Sequence, residues 1–116
     1  MKLKFVIPFI LSICLFLDAN AQMKFFNEAE ETYHAGQFIK AVDLYRNAYD
    51  KIQGRAIKDE ITFKIAECYR KSGQPRKAEL WYNKAIKKEY DNPLIYLYHA
   101  NALKTNEKFD EAIENY

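Results

Sequence analysis

Three stretches of this 116-residue chain repeat one pattern of alanine and tyrosine residues. Three columns of the pattern recur in step, and their members are Ala29, Ala66 and Ala100; Ala41, Ala78 and Ala112; and Tyr45, Tyr82 and Tyr116. The first interval is slightly longer than the second, and both are close to the ~34 residues of a helix-turn-helix repeat unit. The pattern therefore predicts a stack of similar units. Loops tolerate insertions, so we expect the three extra residues of the first interval in a linker around 53–58.

The apolar residues inside each unit follow a helical period. Phe38, Ala41 and Tyr45 step by three and four residues, which places them on one face of a helix. Gly36 and Gly73 can adopt the left-handed conformation that ends a helix, and proline at a first helical position costs nothing. We therefore predict an all-α chain of six helices at about 22–35, 37–52, 58–72, 75–88, 93–105 and 108–116.

The alanine columns have a mechanical explanation. A large side chain would hold apart the backbones of two antiparallel helices where they cross, so small residues are expected there. This predicts that Ala29 faces Ala41, that Ala66 faces Ala78, and that Ala100 faces Ala112. The aromatic residues of the repeat then fill the space between neighbouring helix pairs; they are Phe38, Tyr45, Tyr82 and Phe109.

The segment 1–21 differs from the rest. A positive start at Lys2 and Lys4, an apolar run over 5–17 and a small-residue ending indicate a secretory signal peptide cleaved after Ala21. The alternatives are a membrane anchor, for which the run is short of about 20 residues, and a lipoprotein signal at Cys14, which lies too early. The mature domain is then 22–116, with no membrane span.

The repeat resembles the tetratricopeptide repeat (TPR). Its two-helix unit of about 34 residues, with glycine, aromatic and alanine columns in register, covers all of the predicted mature chain. The resemblance implies a solenoid of about two and a half repeats, at 22–55, 59–92 and an incomplete 93–116. The chain departs from the family pattern at Pro75, which replaces an aromatic residue, and at Glu107, which replaces the turn glycine.

A narrower resemblance rests on Phe63–Arg70 followed by Ala78–Tyr82. These segments look like the TPR region at the N-terminus of OmpA-family envelope proteins, some of which belong to type IX secretion and gliding machinery. The resemblance implies an exported protein of the periplasm or outer membrane whose TPR part is a scaffold for protein binding. Because the third repeat stops at Tyr116, we also expect the chain to be the N-terminal fragment of a longer protein.

The TPR resemblance also implies where a partner binds. The first helices of TPR units line a concave groove, and by column its residues here are Phe26, Glu30, Tyr33, Phe63, Glu67, Arg70, Leu97, Asn101 and Lys104. Apolar side chains beside polar ones suit an extended peptide or a helix from a protein partner. The alternative is that these residues form only a solvated surface.

Charge and composition argue against other functions. With 18 Lys and Arg against 16 Asp and Glu, the net charge of +2 gives no case for nucleic acid. Three glycines leave no room for a phosphate-binding loop, and His34 and His99 lack neighbours at metal-ligand spacing. We therefore expect that the chain is not an enzyme and that it binds neither a cofactor nor a metal. Cys68 lies on an apolar stripe and is expected to be a small buried residue.

A second function stays open. The chain could be a free-standing small periplasmic helical protein that pairs with itself or with a partner through its uncapped C-terminal edge. In that case Ile113 and Tyr116 would lie in the contact. The basic stretch 64–88, with eight basic and two acidic residues, is expected to be the solvated side of helices.

Overall fold

The computed structural model describes residues 21–114, and in this part of the chain every regular element is an α-helix. The described part of α1 covers 21–34, and the others are α2 (Phe38–Lys51), α3 (Arg55–Lys71), α4 (Pro75–Lys87) and α5 (Leu94–Glu114). The predicted all-α class is therefore confirmed. The predicted signal peptide, apart from Ala21, lies outside the described residues, and so does Tyr116.

Two glycines end the first helix of a pair as predicted. Gly36 has a φ of 80° and Gly73 a φ of 75°, the left-handed region that a residue without Cβ adopts most readily. After each glycine, the next backbone N–H bonds back into the preceding helix: Gln37 donates to the Thr32 carbonyl at 3.2 Å and Gln74 to the Tyr69 carbonyl at 2.8 Å. These turns reverse the chain between α1 and α2 and between α3 and α4.

The connection between α4 and α5 uses other residues. Glu89, with a φ of 58°, takes the left-handed position at the end of α4. Asn92 then accepts a hydrogen bond from the Leu94 backbone N–H through its Oδ1 at 3.0 Å, which caps the start of α5. Pro75 occupies the first turn of α4, where its missing N–H costs no helical hydrogen bond.

The core lies between successive helices, since α2 packs on α3, α3 on α4 and α4 on α5. Tyr45 and Tyr82 are its largest fully buried side chains. The alanines predicted at the first two helix crossings are all fully buried, namely Ala29, Ala41, Ala66 and Ala78. In these two units the predicted inward face agrees with the structure.

The predicted break at 105–108 is wrong. As far as Glu114, the fifth and sixth predicted helices form the single 21-residue helix α5. The position that holds Gly36 and Gly73 in the other units holds Glu107, for which a left-handed turn costs more than for glycine, and the helix continues through it. Polar contacts of Asn106 and Asp110 hold this part of α5 against α4. Asn106 Nδ2 donates to the Pro75 carbonyl at 3.2 Å, and Arg76 forms an ion pair with Asp110.

The continuous helix also overturns the predicted inward face of the third unit. Ala100 and Ala112 lie on the same helix and are both exposed, so they cannot face each other. Tyr96 is 63% exposed and Leu103 39% exposed. The buried side of α5 instead consists of Ile95, Ala102 and Asn106.

The predicted linker at 53–58 is shorter than expected. Helix α3 already begins at Arg55, so most of the insertion lengthens this helix to 17 residues. Gly54 is the N-cap of α3, with an extended backbone.

The crossing alanines give a direct test of the packing. Replacing Ala78 by leucine is expected to lower the free energy of unfolding by about 1–3 kcal/mol, because the added atoms enter a fully buried position. Chemical denaturation measures this change. Ala56→Leu, on the exposed start of α3, is the control and should change stability by less than about 0.5 kcal/mol. Equal effects of the two substitutions would contradict the close crossing.

Candidate protein-binding surface

The predicted groove residues are divided between α1, α3 and α5, three on each helix. Their exposure differs from helix to helix. Tyr33, Phe63 and Glu67 are buried, whereas Leu97, Asn101 and Lys104 on α5 are exposed. The first two units therefore use most of these side chains inside the fold, and the third presents them to solvent.

Two glutamates of the predicted groove make the same internal hydrogen bond. Tyr45 Oη donates to Glu30 Oε1 at 2.6 Å, and Tyr82 Oη donates to Glu67 Oε1. Glutamate and tyrosine are 15 residues apart in both units, so the bond joins the two helices of a pair at equivalent positions. Burial, followed by the hydrogen bond to the carboxylate, raises the pKa of both tyrosines well above the ordinary value. Sequence reasoning missed these pairs, although the constant spacing marks them.

Arg70 completes the arrangement in the second unit. Its Nη2 donates to Glu67 Oε2 at 2.8 Å, and its Nε donates to Tyr82 Oη at 3.0 Å. The hydrogen bond to Glu67 raises the pKa of the guanidinium further, so this group stays charged. The same guanidinium lies 4.3 Å from the ring centroid of Tyr98 on α5. Arg70 thus joins α3, α4 and α5 and orders the surface beside α5.

Tyr33 contacts cations from α3. Lys64 Nζ lies 4.8 Å and Lys71 Nζ 4.7 Å from its ring centroid, both within cation–π range. Lys64 also lies 3.8 Å from a carboxylate oxygen of Glu30. The surface between α1 and α3 therefore combines an aromatic ring with cations, and its carboxylate is already occupied by Tyr45 and Lys64.

The two phenylalanines of the predicted groove pack inward. The Phe63 ring is stacked on Tyr90 at a centroid distance of 5.2 Å and contacts Tyr82 at 6.0 Å. Phe26 is half-buried and lies 6.2 Å from Tyr45. These two rings belong mainly to the core, and neither is an exposed apolar anchor of the kind predicted.

The accessible part of the predicted groove lies between α3 and α5. Leu97 is 54% exposed on α5, with Asn101 and Lys104 following along the same helix. Of these three, Asn101 lines a cavity of about 240 Å³; all the residues that line it are Arg70, Gly73, Pro75, Ala78, Asn101, Ala102, Thr105 and Phe109. Of the nine predicted residues, the structure brings Arg70 and Asn101 together in this cavity. We call the surface formed by Arg70, Leu97, Tyr98, Asn101 and Lys104 the α5 groove.

A second concavity lies between α2, α3 and α4, where no site was predicted. Its volume is about 350 Å³, and we call it the Trp81 concavity; its lining residues are Arg46, Tyr49, Asp50, Thr62, Ile65, Trp81, Lys84 and Lys88. The Arg46 guanidinium lies 5.1 Å and Lys84 Nζ 4.2 Å from the indole centroid. The basic stretch 64–88 was expected to be the solvated side of helices, but Lys84 and Lys88 of this stretch lie over the aromatic rings of Trp81 and Tyr49.

The C-terminal edge of the described chain has an apolar surface of its own. Ile113, predicted to lie in an edge contact, is 69% exposed. Together with the half-exposed Phe109 it lines a cavity of about 340 Å³ next to the start of α4. Since Tyr116 lies outside the described residues, the edge contact stays a prediction.

The described residues offer neither a reactive thiol nor a cluster of metal ligands. Burial raises the pKa of the Cys68 thiol to about 12, so the thiol stays protonated near neutral pH. Within 21–114, no group of three or more His, Cys, Asp or Glu side chains is arranged to hold a metal ion. None of the helices in this part of the chain has both the length and the apolar character needed to cross a bilayer.

The chain was also compared with known proteins. None of the family models, characterised proteins or solved structures compared with it matches. The TPR and OmpA-family resemblances therefore rest on the residues alone, and the function is argued from the surface described above.

Proposed function

We propose that this chain is a non-catalytic protein-binding module of the TPR type that holds a peptide segment of a partner in the α5 groove. The observation that carries the proposal is the cavity lined by Arg70 and Asn101, one helical turn along α5 from the exposed Leu97. The glycine turns and the alanine crossings of the first two helix pairs support the TPR assignment.

The side chains of the groove suggest the chemistry of the peptide. Leu97 offers an apolar contact, and the cavity lined by Asn101, one helical turn farther along α5, is large enough for one side chain. Lys104 adds a positive charge at the exposed edge. Glu67 and Arg70 are paired with each other, so the net positive charge of the groove comes from Lys104. We therefore propose a peptide with an apolar anchor next to an acidic residue.

The cell envelope is the proposed location. A signal peptide over 1–21 would export the chain to the periplasm, and the OmpA-family resemblance would place it at the outer membrane as the docking part of a scaffold. Support for this proposal comes from the positive, apolar and small-residue order of the segment 1–21. The partner would then be another envelope protein.

Peptide selection tests the function. A random peptide library displayed on phage would be selected against the chain, and binding of a fluorescein-labelled selected peptide measured by fluorescence polarisation. We expect Leu97→Asp to weaken binding at least about tenfold, because it places a negative charge at the apolar contact and beside the acidic side of the peptide.

Leu80 supplies a matched control for this experiment. It is 55% exposed on α4, against 54% for Leu97 on α5, and it lies outside the α5 groove. Leu80→Asp should leave peptide affinity unchanged. Equal loss in both variants, or no selected peptide at all, would contradict the proposed site.

A further inference from the structure

The Trp81 concavity is a cavity that the proposed peptide site does not use. Its volume of about 350 Å³ lies within the range of small-molecule sites. Thr62 and Ile65 of α3 are almost fully buried and form its deep end. Trp81 and Tyr49 are half-buried and form aromatic walls. A ligand entering between α2 and α4 therefore meets mainly apolar and aromatic surface.

Positive charge surrounds this opening. The lining includes three cationic side chains, from Arg46, Lys84 and Lys88, against one carboxylate, from Asp50. Lys88 already has partners, because its Nζ donates to Tyr49 Oη at 2.9 Å and lies 3.7 Å from Asp59 Oδ1.

Arg46 and Lys84 differ from Lys88 in this respect. Among the residues 21–114, neither of them lies in an ion pair with a carboxylate. Both instead lie over the indole of Trp81. The ring holds the two cations close to the opening by cation–π attraction without neutralising their charge. They remain available to an incoming anion.

We propose that the Trp81 concavity binds a small organic anion with an apolar body. Its carboxylate would lie between Arg46 and Lys84, and its apolar part would enter towards Ile65. We expect the ligand to be an anion, because Arg46 and Lys84 would attract an anion and repel a cation. We expect the ligand to be a small molecule, because the volume of the cavity suits one small molecule and not a peptide segment of several residues. This binding site goes beyond the proposed peptide function and is independent of it.

Trp81 provides a direct readout, since it is the single tryptophan of the chain. Octanoate is the probe, because it joins a carboxylate to an apolar tail and does not absorb where tryptophan is excited. We expect a saturable change in the emission of Trp81 and a dissociation constant below about 1 mM. Octylammonium, with the same tail and the opposite charge, should bind at least about tenfold more weakly. Acetate, which lacks the tail, should not saturate the site in this range.

Two substitutions test the roles of the cations. Arg46→Gln and Lys84→Gln should each raise the dissociation constant of octanoate about threefold, the effect of removing one exposed ion pair, and the double variant about tenfold. Isothermal titration calorimetry measures these variants, because Lys84→Gln also changes the emission of Trp81 itself. The matched control is Lys40→Gln, which removes an exposed cation from α2 outside the concavity and should leave the affinity unchanged.

Three results would overturn the proposal. They are no saturable binding of octanoate, equal affinities for octanoate and octylammonium, and equal weakening by Lys40→Gln and Arg46→Gln. Equal affinities for the two probes would mean only unspecific apolar contact.

The two proposed sites can fail separately. Leu97→Asp should weaken peptide binding and leave octanoate binding intact, whereas the Arg46 and Lys84 variants should do the reverse. A peptide selected for the α5 groove should not displace octanoate. Displacement would contradict the independence of the two sites.

Discussion

Replacing Tyr82 by alanine is expected to lower the free energy of unfolding by about 3–5 kcal/mol, the range for truncating a fully buried aromatic side chain. Two losses combine at this position. The ring packs against Phe63 and Tyr98, at centroid distances of 6.0 Å and 6.2 Å. The hydroxyl donates to the buried carboxylate of Glu67, which then keeps only Arg70 as its partner.

The substitution Tyr82→Phe separates these two losses. It keeps the ring and removes the hydroxyl, so we expect about 1.5–3 kcal/mol, the contribution of a hydrogen bond to a charged group. Tyr45→Phe removes the equivalent bond to Glu30 in the first unit and should have a similar cost. Urea denaturation measures all three variants. A cost below about 1 kcal/mol for Tyr82→Ala would contradict the central place of this side chain in the core.

The first two units could be predicted from sequence because their signals are local. Each signal indicates one local feature of the fold. A glycine indicates a left-handed turn, a proline indicates the first turn of a helix, and alanines indicate where two helices pack closely. Gly36, Gly73 and Pro75 all have the predicted roles. The buried tyrosines followed from the helical period, since Tyr45 and Tyr82 recur in step with the alanines.

The third unit could not be predicted by extending the same pattern. Its alanine columns predicted a hairpin, but a hairpin needs a residue that ends the first helix. With Glu107 at that position, the helical hydrogen bonds continue and Asn106 attaches the helix to α4. In the third unit, the residue at the turn position was therefore a better guide to the structure than the two matching alanine columns. Ala100 and Ala112 occupy the same repeat positions as the buried alanines of the first two units, but they are exposed.

The candidate site was predicted only in part. Column position assigned Leu97, Asn101 and Lys104 to the groove, and these side chains are exposed on α5, but column position does not reveal which glutamates are engaged inside the fold. Glu30 and Glu67 were assigned to the groove by column position, which does not show that each is bonded to a tyrosine on the neighbouring helix. The Trp81 concavity depends on side chains from three helices, which no single stretch of sequence brings together.

Raising the pH from 8 to 10.5 is expected to lower the free energy of unfolding by about 4 kcal/mol. Burial raises the pKa of Cys68 from 9.0 to about 12 and raises the pKa of Tyr45 and Tyr82 above 10.0. Above pH 9 the unfolded chain loses the Cys68 proton while the folded chain keeps it. Above pH 10 the same holds for both tyrosines. The stability from these neutral groups is complete below pH 9 and is lost as the pH rises.

Denaturation in urea at several pH values, under reducing conditions, measures this loss. Each group contributes a slope of about 1.4 kcal/mol per pH unit above its unfolded pKa. Cys68→Ala should therefore move the start of the decline from about pH 9 to about pH 10, the unfolded pKa of tyrosine. Tyr45→Phe and Tyr82→Phe should leave the start unchanged and make the decline above pH 10 less steep. If the free energy of unfolding stays constant up to pH 10.5, these three groups have the same pKa in the folded and unfolded chain. That result would contradict their burial in the core.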